Sequence, residues 1–313
     1  MNRRDFLGNV GVAAAATLCV RAAETESLVP SIDTHTHFYD PTRPQGVPWP
    51  RPSETLLYAP FLPPAFRTAT ARSNVLGTVV VEASPWVEDN QWLLDLAAVT
   101  PEIVGIVGNL KLGEPDFAAQ LKRFAMNPLY RGLRVGVDLL KAQTTPAVAA
   151  DLRRVADAGL SLDVIGRGPV VAPTVSLAQA FPTLTIIINH LPFPEWDAKP
   201  AEMRSALAPV ATHKNVYIKV SDVVRRVNGN IVDDAAFYRP GLDVLFDLFG
   251  PQRLIYASNW PVSERVAPYT TIHRVVADYF ATQGRKAAEQ LFWRNSLTAY
   301  RWRRQSIAAQ FSP

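Results

Sequence analysis

Val75-Leu76-Gly77-Thr78-Val79-Val80-Val81-Glu82-Ala83 is an extended, β-branched run; Ile103-Val104-Gly105-Ile106-Val107-Gly108-Asn109-Leu110 is a second one. Between them, Asn90 to Val99 spaces Leu and Ala at the three- and four-residue intervals of an amphipathic helix. Together they read as a strand-helix-strand unit. The same alternation runs outward in both directions. Strands are expected near Ile32, at Gly132–Val137, Leu160–Ile165, Leu184–Asn189, Val216–Val220 and Arg253–Ala257. Helices are expected at Asp116–Phe124, Ala147–Ala158, Ala201–Thr212 and Leu242–Phe249. Eight strand-helix repeats predict an α/β protein of the closed (β/α)8 barrel type. An open doubly wound sheet competes, but no glycine-rich phosphate turn follows the first strand.

The 313 residues suit one large barrel domain, and 48% hydrophobic with 19% charged residues describes a globular chain with a large core. Thirty-two basic residues are dispersed among 28 acidic ones, without the basic runs that a phosphate backbone attracts, so nucleic acid is not an expected partner.

Residues 1–22 read differently from the rest. Arg3-Arg4-Asp5-Phe6-Leu7 precedes a weakly apolar, Ala-rich stretch ending in small residues, and it resembles a twin-arginine export signal. This predicts an exported, periplasmic protein whose single domain spans 23–313. Cleavage would remove three cations and one anion, taking the net charge from +4 to +2, and would take away the one cysteine, Cys19. The other apolar runs fall well short of the roughly 20 residues of a membrane span.

After the first strand, Pro41 to Pro64 contains eight of the 26 prolines, with Arg43, Trp49, Arg51 and Tyr58. Over the C-terminal mouth of a barrel such a loop is either a wall that recognises substrate or a stiff surface connection. His35 and His37, two apart at the end of an extended segment, point to one face, where their rings can meet one metal ion or one oxyanion.

Three segments carry a resemblance over nearly the whole chain: Ile32-Asp33-Thr34-His35-Thr36-His37, Asn189-His190 followed by Leu-Pro-Phe-Pro, and Ala257-Ser258-Asn259-Trp260-Pro261-Val262. In order and spacing they resemble the amidohydrolase superfamily, and more narrowly its amidohydrolase-2 branch. That branch includes sugar-lactone and dicarboxylate-lactone hydrolases, with hydroxybenzoate-type decarboxylases as more distant relatives. Arg131 to Arg134 and Tyr217 to Ser221 are similar to the branch's fourth- and seventh-strand patterns. The resemblance implies that His35 and His37 ligate a divalent metal, usually zinc, and that His190 joins them or polarises a substrate carbonyl. The departure is Asn259, where the superfamily usually carries aspartate. A carboxamide accepts a hydrogen bond but removes no proton from water, and it neutralises a divalent ion less well. The cofactor is therefore either one divalent ion, zinc first, or none.

These residues predict a hydrolase that opens a small lactone, with His190, Asn259, His35 and His37 as the catalytic set. Arg134, Lys219 and Trp260 are assigned to substrate binding, although Trp260, like Trp86, also suits packing. Asp33 and Glu82 are candidates for the missing base; Glu82 reads more readily as half of an ion pair. Alternatives are a metal-dependent decarboxylase of an aromatic or unsaturated acid and a non-catalytic binding barrel. His213 reads as structural, and His273 carries no expected chemistry.

Overall fold

The computed structural model of the chain describes residues 29–141, 145–166, 170–190 and 199–302, together with Ile307 and Phe311. The expected signal at 1–22, and the prolines after His190, lie outside the described residues. Among those described, eight strands pair in parallel and in sequence order: β1 (Ser31–Thr36), β2 (Val75–Val81), β3 (Ile103–Gly108), β4 (Tyr130–Gly136), β5 (Ser161–Ile165), β6 (Thr185–Ile188), β7 (Val216–Val220) and β8 (Leu254–Tyr256). Helices α1 (Pro63–Thr70), α2 (Asp89–Ala98), α3 (Phe117–Ala125), α4 (Val137–Lys141), α5 (Pro146–Asp157), α6 (Val171–Ala180), α7 (Pro200–Ala211), α8 (Ala235–Phe249) and α9 (Tyr269–Thr282) lie between and after them. This is the (β/α)8 barrel that the alternation predicts.

Four of the expected helices begin within one residue of their predicted starts. The exception is α8, which begins seven residues before Leu242. Arg239-Pro240-Gly241 reads as a helix breaker, since proline inside a helix removes a hydrogen bond. Here the Asp234 side chain caps the helix by accepting from the Ala236 amide at 2.9 Å, and burial of Tyr238, Gly241 and Leu242 holds the turn in place.

Each strand is buried on two sides, which is why it reads as a continuous apolar run rather than an alternating one. Phe117, Phe124, Leu152, Leu207 and Leu245 fill the layer between barrel and helices, while Ile32, Val79, Val104, Ile187 and Ile255 fill the barrel itself. Tyr300 and Trp302, at the end of the helical run from Arg285 to Tyr300, join this inner cluster.

The ring closes at the seam of β1 and β8, where side-chain and backbone hydrogen bonds cross. Asp33 is fully buried and accepts from the amides of His35 (3.1 Å) and Ser258 (3.0 Å) and from the Tyr269 hydroxyl (3.0 Å). Thr34 Oγ1 adds a bond to the Tyr256 carbonyl at 2.7 Å, and the His37 amide one to the Trp260 carbonyl at 2.8 Å. Asp33 is therefore not the water-activating base: its carboxylate is spent on holding β1 to the chain after β8.

His273 lies in α9, 2% exposed among Tyr256, Tyr269 and Phe292, with Nε2 3.3 Å from Ser31 Oγ. Burial pushes its pKa from 6.5 down to about 4. Above pH 6.5 the ring is neutral folded or unfolded; below that the unfolded chain takes up a proton that the folded one refuses, so stability falls as pH drops towards 4. Lowering the pH from 7.5 to 5 is expected to cost about 2 kcal/mol through this ring. Urea unfolding of His273→Leu should show a pH-dependent loss smaller by that amount; an unchanged loss would remove His273 from the acid sensitivity.

Candidate active site

The C-terminal ends of the strands open into a cavity of about 490 Å³, lined by His37, Trp49, Glu82, Arg134, His190 and Asn259, with Asn109 and Arg265 at its edge. Tyr39 and Phe61 exchange backbone hydrogen bonds at 3.0 and 2.9 Å, pinning the base of the proline-rich loop. The pinned loop sets the Trp49 ring 5.8 Å from that of His37. Through Trp49 the loop forms part of the cavity lining.

Three imidazoles form one cluster. Ring centroids are 4.9 Å apart for His35 and His37 and 4.4 Å apart for His35 and His190. His37 Nδ1 lies 2.9 Å from the Val81 carbonyl, which only accepts, so Nδ1 carries the proton and Nε2 a lone pair. His190 Nδ1 lies 3.1 Å from Ser221 Oγ and 3.4 Å from Asp222 Oδ2, which likewise favours the proton on Nδ1. Burial, with the nearby cations Arg134 and Lys219, pushes both pKa values down to about 3, so both rings are neutral at pH 7.

His35 is the reverse case. Its Nδ1 meets Lys219 Nζ at 3.0 Å. Burial pushes the Lys219 pKa down, opposed by Asp163 Oδ2, which lies 2.7 Å away and is also bonded by the Tyr300 hydroxyl. Lys219 Nζ lies between Asp163 Oδ2 and His35 Nδ1 and donates to both, so Nδ1 accepts and the proton sits on Nε2, which has no partner among the described residues. Burial and the Lys219 charge push the His35 pKa well down, which rules out a second proton.

This decides the fit of a metal. His37 and His190 offer lone pairs, but His35 offers an N–H, and Asn259 offers a neutral amide where a carboxylate would balance a divalent charge. The donors do not fit a resident divalent ion, and among the described residues no three His, Cys, Asp or Glu side chains are placed to hold one.

The remaining assignments divide. Arg134 is in the cavity, its Nε 2.7 Å from Glu82 Oε1 and its Nη2 2.8 Å from the Glu82 carbonyl, so Glu82 is the ion-pair partner its position suggested. Arg265, also at the cavity, is paired with Glu54. Lys219 does not reach the cavity; fully buried, it acts on His35 from below. Trp260 is 1% exposed, packed against Phe38, Phe61 and Phe66, with Nε1 donating to Glu264 at 2.9 Å. Asn259 takes a left-handed backbone, φ +63°, and the chain reverses there, so Asn259 faces the cavity and the indole turns under the loop. His213 ends the turn after α7, its carbonyl accepting from Arg253, away from this cavity.

Sequence reasoning missed Asp222. It follows β7, also with a left-handed backbone (φ +53°), and its Oδ1 accepts from Asn259 Nδ2 at 3.0 Å while Oδ2 faces His190. Burial raises its pKa, against the bond from Asn259.

A family model described as amidohydrolase matches residues 32–302. An L-fucono-1,5-lactonase of Burkholderia ambifaria is 30% identical over 240 residues, covering 74% of this chain and 80% of the relative. An L-rhamnono-gamma-lactonase of Scheffersomyces stipitis is 31% identical over 103 residues, 28% of this chain and 31% of that one. A crystal structure of a Burkholderia multivorans amidohydrolase with bound zinc superposes with a TM-score of 0.77 at 21% identity, over 88% of this chain and all of the other. A putative 2-pyrone-4,6-dicarboxylic acid hydrolase from Pseudomonas putida superposes with a TM-score of 0.61 at 22% identity, over 87% and 97%. At these identities the two structures speak for the fold.

The tautomer of His35 has a direct consequence for metal content. Protein equilibrated with zinc and then desalted should retain well under one equivalent by elemental analysis; one tightly held equivalent would show that His35 Nε2 gives up its proton to a metal.

Proposed function

We propose that this chain, which belongs to the amidohydrolase family, is an exported lactonase that opens a small, uncharged sugar lactone by water attack on the ring ester. The observation that carries this reading is the charge balance of the cavity. Among the described residues its two lining cations are each matched by a carboxylate, Arg134 by Glu82 and Arg265 by Glu54, while Asn109, Asn259 and the imidazoles supply neutral hydrogen-bonding groups. A dicarboxylate would need unpaired cations, whereas a polyhydroxylated ring finds donors, acceptors and the Trp49 face. The 30% identity to an L-fucono-1,5-lactonase supports the same class.

The chemistry follows from the tautomers. Water adds to the ring carbonyl carbon as the Nε2 of His190 takes its proton. The oxygen that becomes anionic is met by the Arg134 guanidinium and the His35 Nε2–H. Collapse breaks the bond from carbonyl carbon to ring oxygen, and the proton on His190 passes to that oxygen, giving the hydroxy acid. Decarboxylation of an aromatic acid would need a firmly held metal to fix the carboxylate, and the donor set does not fit one. The signal-like residues 1–22 carry the proposal of export, with the folded barrel released to the periplasm.

Proton release from a panel of aldonolactones and dicarboxylate lactones tests this. The protein should hydrolyse at least one neutral aldonolactone with a kcat/KM at least ten times that for any dicarboxylate lactone. His190→Ala should lower kcat by roughly 10²- to 10⁴-fold. A folded protein that releases no proton from any lactone would overturn the reading.

A further inference from the structure

With aspartate absent at position 259, the site needs a carboxylate from elsewhere, and the described residues bring Asp222 to it. Its two oxygens face the two groups that would handle the attacking water. Oδ1 accepts from Asn259 Nδ2 at 3.0 Å, and Oδ2 lies 3.4 Å from His190 Nδ1. A carboxylate beside both donors fixes two choices that are otherwise open. It orients the Asn259 carboxamide, whose NH₂ must face Asp222 and whose Oδ1 is thereby left for another donor. It also favours the His190 tautomer with the proton on Nδ1. Both residues line the cavity, and Asp222 stands behind them.

We propose that Asp222 is the positioning carboxylate of this site, taking over by way of His190 and Asn259 the work of the absent aspartate, so that the lone pair of His190 Nε2 and the Oδ1 of Asn259 together seat the nucleophilic water. One water O–H donates to Asn259 and the other to His190. As the oxygen bonds to the carbonyl carbon, the second proton moves to Nε2, and the imidazolium so formed is stabilised by Asp222, in the manner of an aspartate behind a catalytic histidine. The proton leaves on the ring oxygen when the ester bond breaks, so the site returns to its starting state. The inference rests on the lactonase reading for its chemistry but not for its geometry.

The groups packed about Asp222 and His190 support this division of labour. Ser221 Oγ, 3.1 Å from His190 Nδ1, shares the Nδ1 proton. Lys219 turns to His35 and Asp163, and Arg134 to Glu82, so neither cation takes up the Asp222 oxygens. Asp222 and Asn259 both hold left-handed backbones, a conformation uncommon for non-glycine side chains, at the ends of adjacent strands.

Two independent measurements test the proposal on the full-length protein. Asp222→Asn keeps the shape and removes the charge, and it should lower kcat at least tenfold on the best lactone with KM within threefold. Asp222→Gly relieves the backbone at φ +53° and should melt no lower than the parent, yet lose kcat to at least the same extent, which a merely structural residue would not do. In the exchange variant, Asp222→Asn with Asn259→Asp, the carboxylate returns to position 259 and should recover at least half, on a logarithmic scale, of the loss. Should Asp222→Asn not fold, the glycine variant decides. Retention of kcat within threefold in the glycine variant, or a loss confined to KM, overturns the proposal, as does an exchange variant no better than Asp222→Asn.

Long-range ¹H–¹⁵N correlation of the histidine rings gives the second measurement and needs no substrate. His190, assigned through His190→Ala, should carry its proton on Nδ1 in the parent and show a mixture of tautomers in Asp222→Gly. An Nε2–H tautomer in the parent, or one unmoved by Asp222→Gly, overturns the proposal whether or not any lactone is hydrolysed. A parent with the expected tautomer but no lactone hydrolysis would instead overturn the function and leave the Asp222 geometry standing.

Discussion

A barrel of parallel strands has to close, and here closure rests in part on a buried carboxylate. Parallel ladders run from β1 round to β8, and between β8 and β1 Asp33 carries part of the connection by taking the Ser258 amide and the Tyr269 hydroxyl, beside the bonds of Thr34 and the His37 amide. A buried charge is tolerable when donors surround it, and three do. The same three bonds set where the chain leaves β1 and β8. They therefore fix the relation of His35 and His37 to Asn259, residues that are far apart in sequence and share one mouth.

A second buried ion pair works on the chemistry from beneath. Asp163 takes one hydrogen bond from Lys219, Lys219 donates another to His35 Nδ1, and His35 is left with its proton on Nε2. His37 and His190, anchored by a carbonyl and by Ser221 with Asp222, come out with the opposite tautomer. Three histidines that look equivalent in a motif thus differ in function: one donor and two acceptors. That difference, more than the number of imidazoles, separates a site that polarises an ester and takes a proton from one that chelates a cation.

Much of this was legible in the sequence, and for physical reasons. Strands buried on two sides show as apolar runs and helices as 3.6-residue periods, so the barrel could be read without any motif. His35, His37 and His190 sit at strand ends, where barrel side chains face the mouth, and the cavity holds or adjoins all three. What failed were inferences about direction. Trp260 looks available beside Asn259, but the left-handed backbone between them sends the indole into the core. Lys219 lies in an apolar strand and is inward-facing, as expected, yet its partner is Asp163, a contact across 56 positions that no local pattern announces. Asp222 escaped for the same reason: its meaning comes from His190 and Asn259, and after a strand it reads as an ordinary loop aspartate.

The chain's late residues also reach this chemistry. The Tyr300 hydroxyl donates to Asp163, and Tyr300 and Trp302 close the inner cluster of the barrel. The order of synthesis follows from that: when β1 and its two histidines leave the ribosome, the tyrosine that completes their support has some 260 residues still to come. The nascent chain carries the rings of His35 and His37 early, but the network behind His35, through Lys219 and Asp163, is completed only once Tyr300 has been made. Support for the chemistry of the first strand thus comes in part from a residue made long after that strand, a dependence that no stretch of neighbouring sequence displays.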